Sequence, residues 1–460
     1  MQLPPKHILS KSTFMYGCQC NLRLWLHKFN PSLKDPIDKQ QQQIFQTGTD
    51  LGQLARQLFP GGVDASPPDY FQYALSVKKT AEWIAAGRTI IYEAAFQYEG
   101  LLCAIDILVK RPDGWYAYEV KGSTRVKDVF VMDAAFQYHV ITGAGLPLQQ
   151  ISLIYINNQY VRKGALALNE LFTTTAITDQ VKEYSTFLQA KSEELLQVVA
   201  NKLQPPVIAA GNQCTKPYRC DFYSHCNHQA EIVEEEIGEP VVDLIQLQSF
   251  ISTLHYPLYY MDFETWSQAV PQFDGHWPFR QVCFQYSVKV QHDLDAIPVE
   301  HGYLANDITT PSADFINNLL SVLGEEGIIV VYNATFERSR LLDFVRDNPL
   351  WEPAISGLIN RMVDLMDVFR KKQYYLPVMG NGYSIKSVLP ALFPEEAYEG
   401  LAISDGMEAA NAFYQLNQEN NLEKIRATRA ALEAYCSMDT LAMFKIIEHI
   451  RKRIQLFIHG

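Results

Sequence analysis

The chain has 460 residues, 48% hydrophobic and 20% charged, a composition that excludes an intrinsically disordered protein and predicts two or three globular domains. No run approaches the ~18 apolar residues of a membrane span, and the opening MQLPPKHILSKS lacks the apolar core and cleavage site of a secretory signal, so a cytoplasmic protein with no membrane partner is expected. The net charge of -12 by itself argues against a nucleic-acid partner, yet it is uneven: residues 1–230 carry 22 basic and 19 acidic side chains, residues 231–460 carry 17 and 32.

Cys18 and Cys20 precede the basic-aromatic segment NLRLWL. Residues 89–97, 101–109 and 115–120 are short runs of β-branched and aromatic residues. They are joined by Tyr98-Glu99-Gly100 and by the turn Arg111-Pro112-Asp113-Gly114, which predicts an antiparallel meander. The second strand carries Asp106. The third carries Glu119-Val120-Lys121, and period-two alternation puts Glu119 and Lys121 on one face. Two carboxylates that hold Mg²⁺ or Mn²⁺, beside a lysine that orients water or stabilises phosphorane charge, meet the needs of phosphodiester hydrolysis. Glu93 on the first strand is a candidate third oxygen ligand. The next segment, VMDAAFQYHVITGAG, predicts a helix ended by glycine and carries Gln137 and Tyr138.

The stretch CTKPYRCDFYSHC sets Cys214, Cys220 and Cys226 on one irregular loop. Three such thiols suit a soft metal site that takes a fourth sulfur from Cys18 or Cys20. His225 and His228 are zinc-type ligands in the same stretch, and spacing does not separate Zn²⁺ from an iron–sulfur cluster. Cys103, Cys283 and Cys436 stand alone in apolar contexts and are expected to be buried small hydrophobes. The charged NHQAEIVEEEIGEP predicts a linker at 231–240 between domains at 1–230 and 241–460.

In the acidic half, LYYMDFETW predicts an apolar strand with Asp262 and Glu264 on one face. Burying both carboxylates without a cation costs several kcal/mol each. GIIVVYNATFERSRLLDFV predicts a strand, a turn at Asn333 and an amphipathic helix carrying Glu337, with Asp343 further along it. The final long helix places Tyr435 and Asp439 at i, i+4 on one face. Four acids and a tyrosine suit two-metal phosphodiester cleavage, with Tyr435 positioning the water. NGYSIKSVLPALFP contributes Lys386. Arg125, Lys127, Arg162, Lys163, Arg370, Lys371 and Lys372 form local basic clusters suited to phosphates.

Asp106, Glu119-Val120-Lys121, Gln137-Tyr138, Cys20 and the three late cysteines together resemble the iron–sulfur branch of the PD-(D/E)xK nucleases, which includes RecB/AddB-type domains and CRISPR-associated exonucleases. The resemblance implies a restriction-endonuclease-like α/β domain stapled by a [4Fe–4S] cluster on Cys20, Cys214, Cys220 and Cys226. The histidine that family often places on an early helix is absent from GTDLGQLARQLFPGG. Asp262 with Glu264, Asn333 through Glu337, and Tyr435 with Asp439 resemble the DEDD exonucleases of the RNase H-like fold, tyrosine subtype, with Glu337 where most members have Asp. In these families Gln137, Tyr138, Asn333 and Lys386 correspond to substrate-side positions. The pair resembles a bacterial family joining the two domains. It implies a nuclease, exonuclease action favoured, acting on DNA before RNA in repair or phage defence. Two alternatives stand: one centre is degenerate and only binds nucleic acid, or the chain is a zinc-stabilised nucleic-acid-binding protein without catalysis.

Overall fold

The computed structural model describes residues 8–36, 39–69, 72–229, 239–308, 313–380, 382–395 and 400–459, the side chains of 39–46, 228, 229 and 459 excepted. The chain divides into two α/β units: residues 1–233 with 269–279, and residues 234–268 with 280–460.

The first unit runs β1 (Leu9–Ser10), α1 (Lys11–Gln19), α2 (Asn21–Phe29), α3 (Lys39–Ala55), β2 (Val63–Asp64), α4 (Tyr73–Ala85), β3 (Ile90–Tyr98), β4 (Leu101–Arg111) and β5 (Gly114–Lys121). It continues with α5 (Asp128–Gly143), β6 (Leu148–Ile156), α6 (Leu168–Leu171), β7 (Phe172–Ala176), α7 (Thr178–Glu183), α8 (Ser185–Ala200) and α9 (Tyr223–Gln229). The strands form one mixed sheet in the order β2-β3-β4-β5-β6-β7, with β1 alongside β4. β3, β4 and β5 are the antiparallel meander that the two turns predict, and α5 returns the chain so that β6 runs parallel to β5. Ala134, Ala135 and Phe136 of α5 pack on Ile105 and Leu153 of the sheet, with Phe14 of α1 and Leu195 of α8 in the same core.

The second unit runs β8 (Val241–Val242), α10 (Leu244–Ser252), β9 (Leu258–Trp266), β10 (Val282–Gln291), β11 (Val299–Leu304), α11 (Ala313–Leu323), β12 (Ile328–Val331) and α12 (Ala334–Asp347). It ends with α13 (Glu352–Asn360), β13 (Met362–Asp364), α14 (Met366–Arg370), β14 (Tyr374–Tyr375), α15 (Ile385–Leu392), α16 (Gly406–Leu416) and the 38-residue α17 (Leu422–His459). Its main sheet is β11-β10-β9-β12-β13, with β9, β10 and β11 antiparallel and β12 and β13 parallel to β9. β9 is covered on both faces, which is why its sequence is nearly unbroken apolar. Tyr259, Met261 and Phe263 enter the core shared with α11 and α12, while Leu258 and Tyr260 enter the core shared with α10 and α17. Asp262 and Glu264 continue that second face. No described helix is long and apolar enough to cross a membrane.

The expected continuous C-terminal domain over 241–460 needs one correction. Residues 269–279, AVPQFDGHWPF, belong to the first unit, where Ala269 joins the core of Leu51, Ile107 and Tyr118. Arg162 binds the segment through its backbone N–H to the His276 carbonyl (2.9 Å) and its guanidinium to the carbonyls of Pro271 (3.0 Å) and Gln272 (2.8 Å). Nothing in the local period marks this return, because it is irregular backbone fixed by long-range carbonyl contacts. Of the predicted linker, residues 231–238 lie outside the described residues.

Candidate active centres

In the first unit, the meander brings Glu93, Asp106 and Glu119 onto adjacent strands. Glu93 has a positive φ of 50° and interrupts the β3–β4 pairing between Tyr92 and Ala94. Arg56 holds its carboxylate (3.1 Å) and that of Asp64 (2.7 Å). Asp106 accepts from the Val120 N–H (2.6 Å). Burial first, then Glu119 and Glu93, push the Asp106 carboxyl well above the usual carboxylate range. Glu119 behaves oppositely. Burial opposes its ionisation, but Lys11 and Lys121 outweigh that and hold it at about 2. Lys11 donates to Glu119 Oε1 at 2.7 Å and Lys121 at 2.9 Å, and both ammonium groups also pair with Asp133. Gln137 donates to Glu119 Oε2 (2.6 Å) and to the Ala104 carbonyl (2.8 Å).

Sequence reasoning gave Gln137 a substrate-side place. The side chain is 0% exposed, so in this unit it orients Glu119 instead. Tyr138 packs against the main core. Lys11 and Asp133 escaped the sequence reading, since neither shares a local period with the D…ExK strands. Arg162 is committed to carbonyl groups, while Arg370 and Lys371 both pair with Asp367 at the surface.

Cys20, Cys214, Cys220 and Cys226 line one small cavity with Leu22, Ile208 and Phe222. Cys20 is the extended residue between α1 and α2. The late loop is held to these helices by Gln19 donating to the carbonyls of Gln213 (2.6 Å) and Tyr218 (2.8 Å), and by Arg23 on Asp221 (2.6 Å). Burial pushes the Cys220 thiol up to about 11 and raises that of Cys226, to which Cys214 and Cys20 add. The four cysteines lining this space are soft donors, and they are not part of the group of described residues at single-ion spacing, which is Asp262, Glu264 and Cys436. Cys18 packs against the main core instead, its thiol pushed up to about 12 by burial.

In the second unit, Asp262 and Glu264 of β9 lie within electrostatic reach of Glu337 of α12 and of Tyr435 and Asp439 of α17. Burial first, then Asp439, Glu264 and Glu337, raise Asp262 well above the carboxylate range. Burial and Asp439 bring Glu264 to about 8, and burial brings Glu337 to about 8. The Glu337 Oε2 atom is buried with no hydrogen-bond partner among the described residues. Asp343, the weaker sequence candidate on the same helix, is paired with Arg340 (2.9 Å). Lys386 donates to the Tyr435 hydroxyl (3.2 Å) and the Ser404 carbonyl (2.6 Å). Asn333 takes a left-handed backbone (φ 81°), and its N–H and that of Ala334 donate to Asp364 at 3.0 and 3.1 Å. Asp364 thereby caps α12, a role no sequence spacing indicated. The centre sits where β9 and β12 part company, at the carboxyl ends of parallel strands, the crevice in which open α/β sheets bind ligands.

Residues 259–384 match a family model described as "Domain of unknown function (DUF2779)". That stretch carries Asp262, Glu264, Asn333 and Glu337 and stops before Lys386, Tyr435 and Asp439. The chain is similar to "Uncharacterized protein UU173" of Ureaplasma parvum, 27% identical over 220 residues, which are 42% of this chain and 31% of that protein. It is also similar to "Uncharacterized protein MG366 homolog" of Mycoplasma pneumoniae, 28% identical over 207 residues, 41% of this chain and 31% of that one. The chain thus spans about a third of the length of these curated relatives.

Proposed function

We propose that this protein is a metal-dependent nuclease that hydrolyses DNA phosphodiester bonds, with an exonuclease-type centre of the RNase H-like DEDD class in the second unit. One observation carries the reading: four carboxyls and a tyrosine from β9, α12 and α17 lie within electrostatic reach of one another, and burial pushes Asp262, Glu264 and Glu337 above the usual carboxylate range, Asp439 adding to the first two. Such a set is short of positive charge, and Asp262, Glu264, Glu337 and Asp439 are the residues that would hold Mg²⁺ or Mn²⁺. A bound divalent cation supplies Lewis-acid charge at the phosphoryl oxygens. Tyr435 presents its hydroxyl to the attacking water, with Lys386 fixing that hydroxyl and adding positive charge for the phosphate.

The first unit is read as a PD-(D/E)xK domain whose [4Fe–4S] cluster on Cys20, Cys214, Cys220 and Cys226 ties α1 and α2 to the late loop. Its Asp106, Glu119 and Lys121 form a second centre. The double ammonium contact on Glu119 favours a role for that centre in gripping nucleic acid, with hydrolysis carried by the second unit.

Asp262→Ala and Asp106→Ala, assayed on labelled single- and double-stranded DNA and RNA with Mg²⁺ or Mn²⁺, test the division. Asp262→Ala is expected to lose at least about a thousandfold in rate, and Asp106→Ala to weaken binding more than turnover. An Asp262→Ala protein as fast as the parent on every substrate sinks the reading. Anaerobic purification with iron and zinc analysis tests the cluster, with about four irons per chain expected and one zinc without iron counting against it.

A further inference from the structure

Cys436 stands next to Tyr435 on α17, wholly buried. Its Sγ, one carboxylate oxygen of Asp262 and one of Glu264 all lie within 4.8 Å of one another. Ligands of a single ion with bonds of about 2.0–2.3 Å sit roughly 3–4 Å apart, so this trio is near that spacing as it stands. A second observation points to a cation at the same place. Glu337 is 1% exposed, its Oε2 has no hydrogen-bond partner among the described residues, and when ionised it raises both Asp262 and Glu264. Carboxylates alone suit Mg²⁺ and Mn²⁺, whereas a thiolate among them shifts preference toward softer ions.

We propose that Cys436 is a sulfur ligand of this centre, and that Asp262, Glu264 and Cys436 together take a thiophilic divalent cation such as Zn²⁺, Co²⁺ or Cd²⁺. The inference rests on the reading of Asp262 and Glu264 as metal ligands. Binding replaces the S–H bond of Cys436 by a sulfur–metal bond and releases that proton to solvent, together with any that the Asp262 and Glu264 carboxyls carry, with no change of oxidation state. The thiophilic cation competes with Mg²⁺ for the same two carboxylates.

Cobalt titration of the purified, metal-stripped chain reads the sulfur directly, because a Co²⁺–thiolate bond gives a near-ultraviolet charge-transfer band that a Co²⁺–carboxylate bond does not. Differences between parent, Cys436→Ser and Asp262→Asn cancel the signal of the four-cysteine cavity. The parent is expected to exceed both variants by the band of one thiolate. Cd²⁺ affinity at this site is expected to fall on the order of 100-fold in Cys436→Ser, while Mn²⁺ affinity, read by electron paramagnetic resonance, changes by less than about threefold. Equal bands in parent and Cys436→Ser overturn the proposal, as does an undiminished band in Asp262→Asn. Since a buried substitution can disturb packing, Cys436→Ala is titrated in parallel and ¹¹³Cd resonances are recorded on the parent. A one-sulfur resonance there supports the site, and four-sulfur and oxygen-only resonances alone overturn it. Mn²⁺ binding that Asp262→Asn abolishes, with a cobalt band indifferent to Cys436, leaves the nuclease reading in place and removes only this inference. Mn²⁺ binding indifferent to Asp262 removes both.

Discussion

Three glutamates illustrate how burial is resolved in opposite ways. Glu264 and Glu337 lack cationic partners sufficient to keep them charged and sit at about 8, while Glu119 has Lys11 and Lys121 and sits at about 2. In the metal-free protein the folded state retains protons on Glu264 and Glu337 that the unfolded chain releases above about pH 4.5. Stability contributed by these groups therefore falls as pH rises from about 4.5 to about 8, and Mg²⁺ or Mn²⁺ restores it most at the upper end. Melting temperatures at about pH 5 and about pH 8, with and without Mn²⁺, check this; a Glu264→Gln, Glu337→Gln protein should lose the slope. For Glu119 the sign reverses: its stabilisation is present above about pH 4.5 and is lost as pH falls toward about 2. Lys11→Ala removes one of its two ammonium partners and should cost about 1–3 kcal/mol in urea unfolding at neutral pH. No measurable cost would mean that Lys121 alone satisfies Glu119.

At the scale of elements, the second-unit centre is a matter of where α12 and α17 are held. Ser287 and Gln285 are the cross-strand partners of Asp262 and Glu264 on β10. They fix α17 through Ser287 to Thr440 (2.8 Å) and Gln285 to the Leu432 carbonyl (2.9 Å). The strand that carries the acids and the helix that carries Tyr435 and Asp439 are thus registered through β10. Asp364 does the same for α12 by accepting from its first N–H groups. Asp364→Ala should cost about 1–2 kcal/mol of stability and weaken Mn²⁺ binding through displacement of Glu337, both read on one preparation. In the first unit, a Cβ on Gly17 would lie 2.5 Å from the Leu195 side chain, so α1 and α8 approach as closely as they do only because residue 17 is glycine. Gly17→Val should cost about 1–3 kcal/mol and lower iron per chain, since the end of α1 sets the position of Cys20. Iron content equal to the parent would dissociate the cysteine cavity from that packing.

On the scale of the whole molecule, the charge asymmetry acquires a partial account. Asp262, Glu264, Glu337 and Asp439 are among the 32 acids of residues 231–460 and are the ones a divalent cation would neutralise under the proposed nuclease reading. Removal of divalent metal with a chelator should therefore lower the melting temperature of the second unit selectively at about pH 8, where its acids lose the proton alternative, and leave the first unit's transition in place. Calorimetry that resolves two transitions checks this. The return of residues 269–279 to the first unit means that the link between β9 and β10 is not internal to the second. A cut of the chain near 235 would accordingly leave the first unit without part of its core.

The sequence by itself determined the pairs that local geometry defines. Glu119 with Lys121, and Asp262 with Glu264, follow from strand alternation. Tyr435 with Asp439 follows from the helical turn, and the meander follows from its turns. These repeat over a few residues and need no knowledge of distant neighbours. The tertiary structure alone decided which of them meet. Lys11 reaches Glu119 across 108 residues, and Gln285 reaches Leu432 across 147. Gln137 came to lie buried against Glu119, Glu337 came to lie buried with an unpartnered oxygen while Asp343 pairs with Arg340, and Cys436, expected as a plain buried hydrophobe, came to lie beside two acids. Each outcome depends on strand register and on how one helix is set against a sheet, quantities that arise from packing the whole unit and leave no periodic trace in the chain.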